Sequence, residues 1–376
     1  MHLSNLETPA LLLDEARMER NIARMRSHLA KLGTAFRPHV KTCKSIDVAK
    51  RMMAHPTGPI TVSTLKEAEY FLARGVTDIL YAVGIAPGKL DHVVALRRKG
   101  ARLTVILDNV EAAHAVARAS RLAGDALPAL IEIDSDGHRS GVRPGDPLLI
   151  DIARALEGGG AVVAGVMTHA GDSYNCRSVD AIRGMAAQER DAAVSCARHL
   201  REAGFAAPVV SVGSTPTATY ASDLTGVTEV RTGVFVFFDL FMAGLNVCNI
   251  DDLALTVLTT VIGHQCDKGW AIVDAGWMAM SRDRGTAKQA VDQGYGLVCD
   301  SEGRLIPDVI MLDANQEHGI VAHRSGDPAR LPLLPVGTLL RVLPNHACAT
   351  AAQHDRYHVI GAGDAVSAVW PRFSGW

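Results

Sequence analysis

The chain has 376 residues, 48% of them hydrophobic and 21% charged, with a formal net charge of −2. That composition suits one large globular domain plus a smaller one, and a near-neutral balance argues against a nucleic-acid footprint. No run approaches the ~18–20 apolar residues of a membrane span. The N-terminal ten residues lack the basic and apolar regions of a signal peptide, and seven cysteines without framework spacing fit a reducing cytoplasm.

In chain order, residues 14–32 read as a helix, because Met18, Ile22, Met25, Leu29 and Leu32 recur at steps of four and three and Gly33 follows as a terminator. Residues 36–40 then read as a strand with Lys41 at its C-terminal tip. Further strands are expected at 60–63, 78–83, 102–108, 129–134, 162–169, 208–213 and 228–234. Between them, Thr64 and Glu67 form a capping-box signature, Gly75 closes a helix, and Pro87 and Gly100 bracket another. Eight strands alternating with amphipathic helices predict a (β/α)8 barrel over residues 12–245. The missing G-x-G-x-x-G after the first strand disfavours a doubly wound sheet.

Past residue 250 the helical period disappears. Strand-like runs at 253–262, 270–274, 309–311, 320–323 and 338–343 predict a mostly β domain formed by residues 246–376. Residues 1–11 are assigned to it as well, since 9–13 is strand-like.

Barrel chemistry sits at the C-terminal ends of the strands. A lysine there is as a rule a solvated charge, yet a partly desolvated amine loses its proton readily and attacks carbonyls, which makes Lys41 a candidate Schiff-base residue. Gly213-Ser214-Thr215-Pro216 after the seventh strand and Thr232-Gly233-Val234 after the eighth stand where barrel enzymes often hold phosphate. Arg139, in the glycine-rich loop after the fifth strand, can bind a carboxylate or phenolate. His169, with Tyr174 five residues on, can stack on a flat ring or relay a proton. Near the C-terminus, His346 and Cys348 are two apart and would share a face of an extended segment. An imidazole and a thiolate suit a catalytic divalent metal with open positions. His354, Asp355, His318 and Glu317 are possible further partners.

Together, Pro38-His39-Val40-Lys41-Thr42, the 134–141 loop, the 169–174 loop, Val212-Gly213-Ser214-Thr215 and His346-Ala347-Cys348 resemble the D-serine dehydratase and D-threonine aldolase group of pyridoxal-phosphate enzymes over essentially the whole chain. Stretches 60–69, 210–239 and 273–286 are most similar to the D-threo-3-hydroxyaspartate dehydratases, whereas the aldolases typically carry His-x-Asp at the His346-x-Cys348 position. The resemblance implies an alanine racemase fold with pyridoxal 5′-phosphate on Lys41. Gly213, Ser214, Thr215, Gly233 and Val234 would hold the phosphate, His169 would lie against the ring, and Arg139 and Tyr174 near its edge. His346 and Cys348 would carry the metal, with zinc, manganese and cobalt left open. It further implies a homodimer that eliminates water from a D-3-hydroxy amino acid. D-threo-3-hydroxyaspartate, giving oxaloacetate and ammonia, is the expected substrate. D-serine dehydration, retro-aldol cleavage of D-threonine and a non-catalytic pyridoxal-phosphate carrier are the alternatives.

Overall fold

The computed structural model describes residues 2–361 and 365–376. It divides into two compact units, residues 24–233 with 375–376, and residues 1–23 with 234–374.

The first unit contains eight strands: β2 (Ala35–Pro38), β3 (Ile60–Val62), β4 (Asp78–Gly84), β5 (Arg102–Leu107), β6 (Pro128–Ile133), β7 (Val162–Thr168), β8 (Val209–Val212) and β9 (Glu229–Thr232). Every neighbouring pair is parallel, β2 lies beside β9, and a parallel bridge between His39 and Thr61 joins β2 to β3. The sheet therefore closes on itself as the expected (β/α)8 barrel. Connecting helices are α2 (Ile46–Met52), α3 (Leu65–Leu72), α4 (Leu90–Arg98), α5 (Val110–Ala123), α6 (Leu148–Glu157), α7 (Val179–Glu202) and α8 (Thr215–Tyr220), while α1 (Glu15–Lys31) precedes β2. Thr64 caps α3 by accepting from the Glu67 N–H. The expected helix at Pro87 opens instead as a 3-10 turn, Pro87–Lys89, before α4.

Leu80, Ile106, Leu130 and Met167, one from each of β4 to β7, form an apolar cluster. Full burial of such side chains contributes ~1.5–3 kcal/mol each. The β2–β9 side of the barrel is charged. Arg37 pairs with Glu229 at 2.8 Å and with Asp78 at 2.7 Å. Buried Arg231 donates to Ser211 Oγ at 2.8 Å and to the Thr168 carbonyl. Each of these cations meets acceptors at short range, which is what makes its burial tolerable.

The second unit is a nine-stranded sheet in the order β11-β14-β13-β12-β15-β10-β1-β16-β17. Its strands are β1 (Ala10–Asp14), β10 (Leu255–Gln265), β11 (Trp270–Val273), β12 (Gly296–Cys299), β13 (Leu305–Ala314), β14 (Gly319–His323), β15 (Leu339–Pro344), β16 (Arg356–Ile360) and β17 (Val366–Pro371). The N-terminal strand β1 pairs antiparallel with β10 and parallel with β16, as its sequence suggested. Sequence reading did not anticipate β12, β16 or β17. β12 is a four-residue strand opening on Gly296, and β16 begins with an exposed arginine, so neither shows a clean apolar alternation. Three short helices, α9 (Leu240–Gly244), α10 (Trp277–Met280) and α11 (Ala347–Ala351), punctuate this unit.

Candidate active site

Lys41 lies in the turn that follows β2. Its neighbours Val40 and Thr42 are fully buried while Lys41 itself is exposed, so the turn projects the amine from the strand tip. The Lys44 N–H closes the turn on the Val40 carbonyl at 2.8 Å. His39 Nδ1 accepts from the Lys41 N–H at 3.4 Å. Burial pushes the His39 pKa well below the usual imidazole value, and the nearby Lys41, Arg231 and His169 add to the shift.

His169 follows β7. Its Nδ1 lies 3.0 Å from the Gly213 carbonyl oxygen, which can only accept. The proton is therefore on Nδ1, leaving Nε2 as an acceptor. Burial lowers the pKa to about 3 despite that hydrogen bond, with Lys41, Arg231 and Arg139 as further cationic contributors. The ring is thus neutral across the working range. Tyr174 stands 6.1 Å away, centroid to centroid, at 47°. Because a depressed folded-state pKa means that the unfolded chain takes up the proton first, His169 contributes stability above its unfolded pKa that is lost as pH falls toward 3. Relative to His169→Gln, the parent protein should lose more stability between about pH 7 and pH 4.5, measured by denaturant melts at both values. Parallel curves would remove the neutral-imidazole assignment.

Three cations, Lys41, Arg231 and Arg139, act on this imidazole, while Glu229, Glu189 and Glu132 act on Arg231; the two more exposed cations, Lys41 and Arg139, suit an anionic cofactor. Arg139 reaches Glu132 at 3.5 Å and keeps 61% of its side chain exposed, so it is available to a ligand. Beside it the loops after β8 and β9 present buried hydroxyls. Ser214 caps α8 and forms a capping box with Thr217, and Thr215 Oγ1 bonds Thr232 Oγ1. Gly213 has φ +138°, and a Cβ there would stand 2.1 Å from the Arg231 carbonyl oxygen. At Gly233 a Cβ would stand 2.7 Å from the His39 carbonyl oxygen. Both glycines therefore serve close backbone approach. Gly213→Ala should cost about 3 kcal/mol or more, from strain plus overlap, and weaken cofactor retention. Thermal unfolding with and without added cofactor checks it. Val234, buried, opens the next 3-10 turn and belongs to the second unit. The hydroxyls, the glycines and the nearby Lys41 and Arg139 fit a phosphate-bearing cofactor.

In the second unit, His346 and Cys348 do not share an extended strand. His346 is the N-cap of α11, and Cys348 sits in its first turn. They still meet, because the Cys348 side chain hydrogen-bonds His346. The other His346 contact, Nδ1 to Asp283 Oδ2, is 2.6 Å. Although burial alone would lower it, the His346 pKa is raised to about 11 by Asp283, Cys348 and Asp239. Asp239 is buried and accepts the Met242 and Ala347 N–H groups at 3.0 and 2.9 Å, pinning the peptide between the two candidate ligands. Asp239 and Asp283 were not found by sequence reading. Among the described residues no three His, Cys, Asp or Glu side chains form a ready metal cage. With Nδ1 held by Asp283, the other His346 ring nitrogen and the Cys348 sulfur, which now share a proton, would fit a metal that displaces that proton and keeps open positions. The other sequence candidates have different partners: His354 Nε2 bonds the Ala279 carbonyl at 3.0 Å, Asp355 pairs with Arg356 at 2.6 Å, and Glu317 contacts Gln316. His318 serves through its backbone carbonyl, which accepts from Asn315.

Residues 13–240 match the alanine racemase N-terminal domain, and residues 254–360 a putative serine dehydratase domain. The chain is 55% identical over 377 residues to D-threo-3-hydroxyaspartate dehydratase of Delftia sp. HT23, covering 100% of this chain and 99% of that protein. The solved structure of that enzyme superposes with a TM-score of 0.97, and solved variants carry a histidine or a cysteine replaced by alanine, the latter in a metal-free form. D-serine dehydratase of Dictyostelium discoideum is 28% identical, covering 95% of this chain and 94% of its own length. D-threonine aldolase of Filomicrobium marinum is 26% identical with a TM-score of 0.84, covering 98% and 96%. Among the described residues no helix is long and apolar enough to cross a membrane. With a closed parallel barrel, a mostly antiparallel β unit and full-length identity above half, the chain belongs to the D-serine dehydratase-like family of pyridoxal-phosphate-dependent lyases on the alanine racemase fold.

Proposed function

We propose that this lyase eliminates water from D-threo-3-hydroxyaspartate to give oxaloacetate and ammonia, using pyridoxal 5′-phosphate and a divalent metal. The 55% identity along the whole chain to the Delftia dehydratase carries this reading. The residues that would hold the cofactor are Lys41, His169, Arg139 and Tyr174, with Gly213, Ser214, Thr215, Gly233 and Val234 at its phosphate. His346 and Cys348 would hold the metal, and they are the residue types replaced in the solved Delftia variants. When bound, the cofactor supplies an electron sink for the Cα carbanion, and the metal a Lewis acid for the departing hydroxide.

Within that chemistry Lys41 Nζ anchors the cofactor and takes the Cα proton. Neutral His169, with its proton spent on the Gly213 carbonyl, offers a flat uncharged ring and cannot act as an acid near neutral pH. Water is lost from Cα and Cβ, and hydrolysis of the resulting enamine returns a water as ammonia leaves, so the net products are the 2-oxo acid and ammonia. A second substrate carboxylate needs a cation. Arg284 is already held by Asp292 at 2.8 Å, and Arg282 lies over the Trp277 ring at 5.0 Å. The weakly paired and exposed Arg139 would then serve that carboxylate as well as the cofactor's edge.

A product assay across D-serine, D-threonine and the four 3-hydroxyaspartate isomers tests the reading. Oxaloacetate from the D-threo isomer supports it. Glycine and acetaldehyde from D-threonine, in place of 2-oxobutanoate and ammonia, would make the chain an aldolase. Seven cysteines present as thiols rather than disulfides support placing it in the cytoplasm. The same reading makes it a homodimer, to be checked by light scattering on the holoenzyme. Zinc suits the thiolate, with manganese and cobalt as the other metals to be assayed.

A further inference from the structure

A buried carboxylate beneath the phosphate loop plays no part in the steps above. Glu189 is 2% exposed and lies on the apolar stripe of α7 formed by Ile182, Ala186, Ala193, Cys196 and Leu200. An isolated carboxylate in such a stripe is costly, and burial pushes the Glu189 pKa up. Its partners explain why it is there. Oε1 accepts the Ala170 N–H and the Gly213 N–H, each at 3.0 Å. The Thr217 hydroxyl donates to the same carboxylate. One side chain thus ties the His169 loop, the Gly213 loop and the first turn of α8.

The hydroxyl protons extend the argument. Ser173 donates to the Ala170 carbonyl at 2.7 Å. Thr217 spends its proton on the carboxylate in preference to the Ser214 carbonyl 3.4 Å away, so its oxygen is left to accept from the Ser214 N–H at 3.1 Å. Ser214 Oγ lies 2.9 Å from both Ser173 Oγ and Thr217 Oγ1, yet it has one proton to give. Ser214 is the hydroxyl of this trio whose proton is not committed to a carbonyl or a carboxylate.

We propose that Glu189 is a positioning residue for the cofactor phosphate, fixing the 213–217 turn and its hydroxyl directions so that Ser214 donates to the bound anion. The proposal rests on the pyridoxal-phosphate reading. It is tested on apo-protein titrated separately with pyridoxal 5′-phosphate and with phosphate-free pyridoxal, followed by absorbance and tryptophan fluorescence. Glu189→Ala should weaken the phosphate form by about tenfold or more and pyridoxal by less than about threefold. Thr217→Val should fall between, and Glu189→Gln, which keeps an acceptor for both N–H groups, should recover most of the affinity. A folded Glu189→Ala protein that binds the phosphate form as the parent does, or weakens both ligands equally, overturns the assignment. If Glu189→Ala does not fold, parent-like binding of the phosphate form by Thr217→Val overturns it instead. If the parent chain shows no affinity for pyridoxal 5′-phosphate, the functional reading itself falls.

Discussion

Lys41→Ala is expected to abolish both turnover and the visible absorbance of the cofactor-loaded protein, with a loss in kcat of at least about 10^4-fold. On the proposed function one amine would be both the cofactor's covalent anchor and the base at Cα. Removing a positioned base alone typically costs 10²–10⁴-fold, and removing the nucleophile eliminates the covalent route as well. The fold should survive. Lys41 is exposed, and the fully buried residues that build the turn, Val40, Thr42 and Cys43, remain in place. Exposed positions outside special contacts usually change stability by no more than about 0.5 kcal/mol. Lys41→Arg makes the sharper control. It keeps the positive charge beside His39 and His169, but a guanidinium does not lose its proton in this range and cannot attack a carbonyl. It should therefore be colourless and inactive as well. A yellow, active Lys41→Arg protein would show that the lysine supplies only charge.

The position of Lys41, beyond the C-terminal end of a barrel strand, was legible because two independent regularities meet there. An apolar run preceded by an amphipathic helix marks a barrel strand, and the barrel fixes which end of that strand carries chemistry. The observed β2, Ala35–Pro38, ends two residues before the expected Val40, so Lys41 lies three residues past its tip. Glycines 213 and 233 were legible for a similar reason, since each ends a strand where a side chain has no room. The supporting charges were not. Glu229 and Arg231 alternate along β9 and point to the same side, yet in sequence they look like solvent-facing residues of a short strand. Their partners lie on strands far away in the chain: Glu229 pairs with Arg37, 192 residues apart, and Arg231 donates to Thr168, 63 residues apart. Glu189 did leave a trace, a carboxylate on the buried stripe of α7. A helix-period reading registers that position as a break in amphipathicity, not as a contact. Asp283 left none, because its partner His346 lies 63 residues away in another element.

Chelation should stop elimination while leaving the cofactor on the protein. His346→Ala and Cys348→Ala should each lose metal and depress kcat by at least about 10³-fold, because hydroxide is a poor leaving group without a Lewis acid. Asp283→Asn should be milder and more informative. The His346 Nδ1 contact to Asp283 at 2.6 Å uses one ring nitrogen and leaves the other, beside Cys348, for the metal. Such a carboxylate fixes ring orientation and raises basicity, and its loss typically costs about 10–100-fold in metal affinity or activity. Metal content by elemental analysis, affinity by competition with a chromogenic chelator, and turnover at saturating metal separate the two roles. If Asp283 only orients His346, saturating metal restores most of the rate in Asp283→Asn and restores nothing in His346→Ala. Full turnover in stripped parent enzyme would leave the His346 and Cys348 pair without a catalytic metal. The leaving hydroxide would then have to be protonated by a side chain, and His169 is a poor acid for that task because its pKa of about 3 keeps the ring neutral.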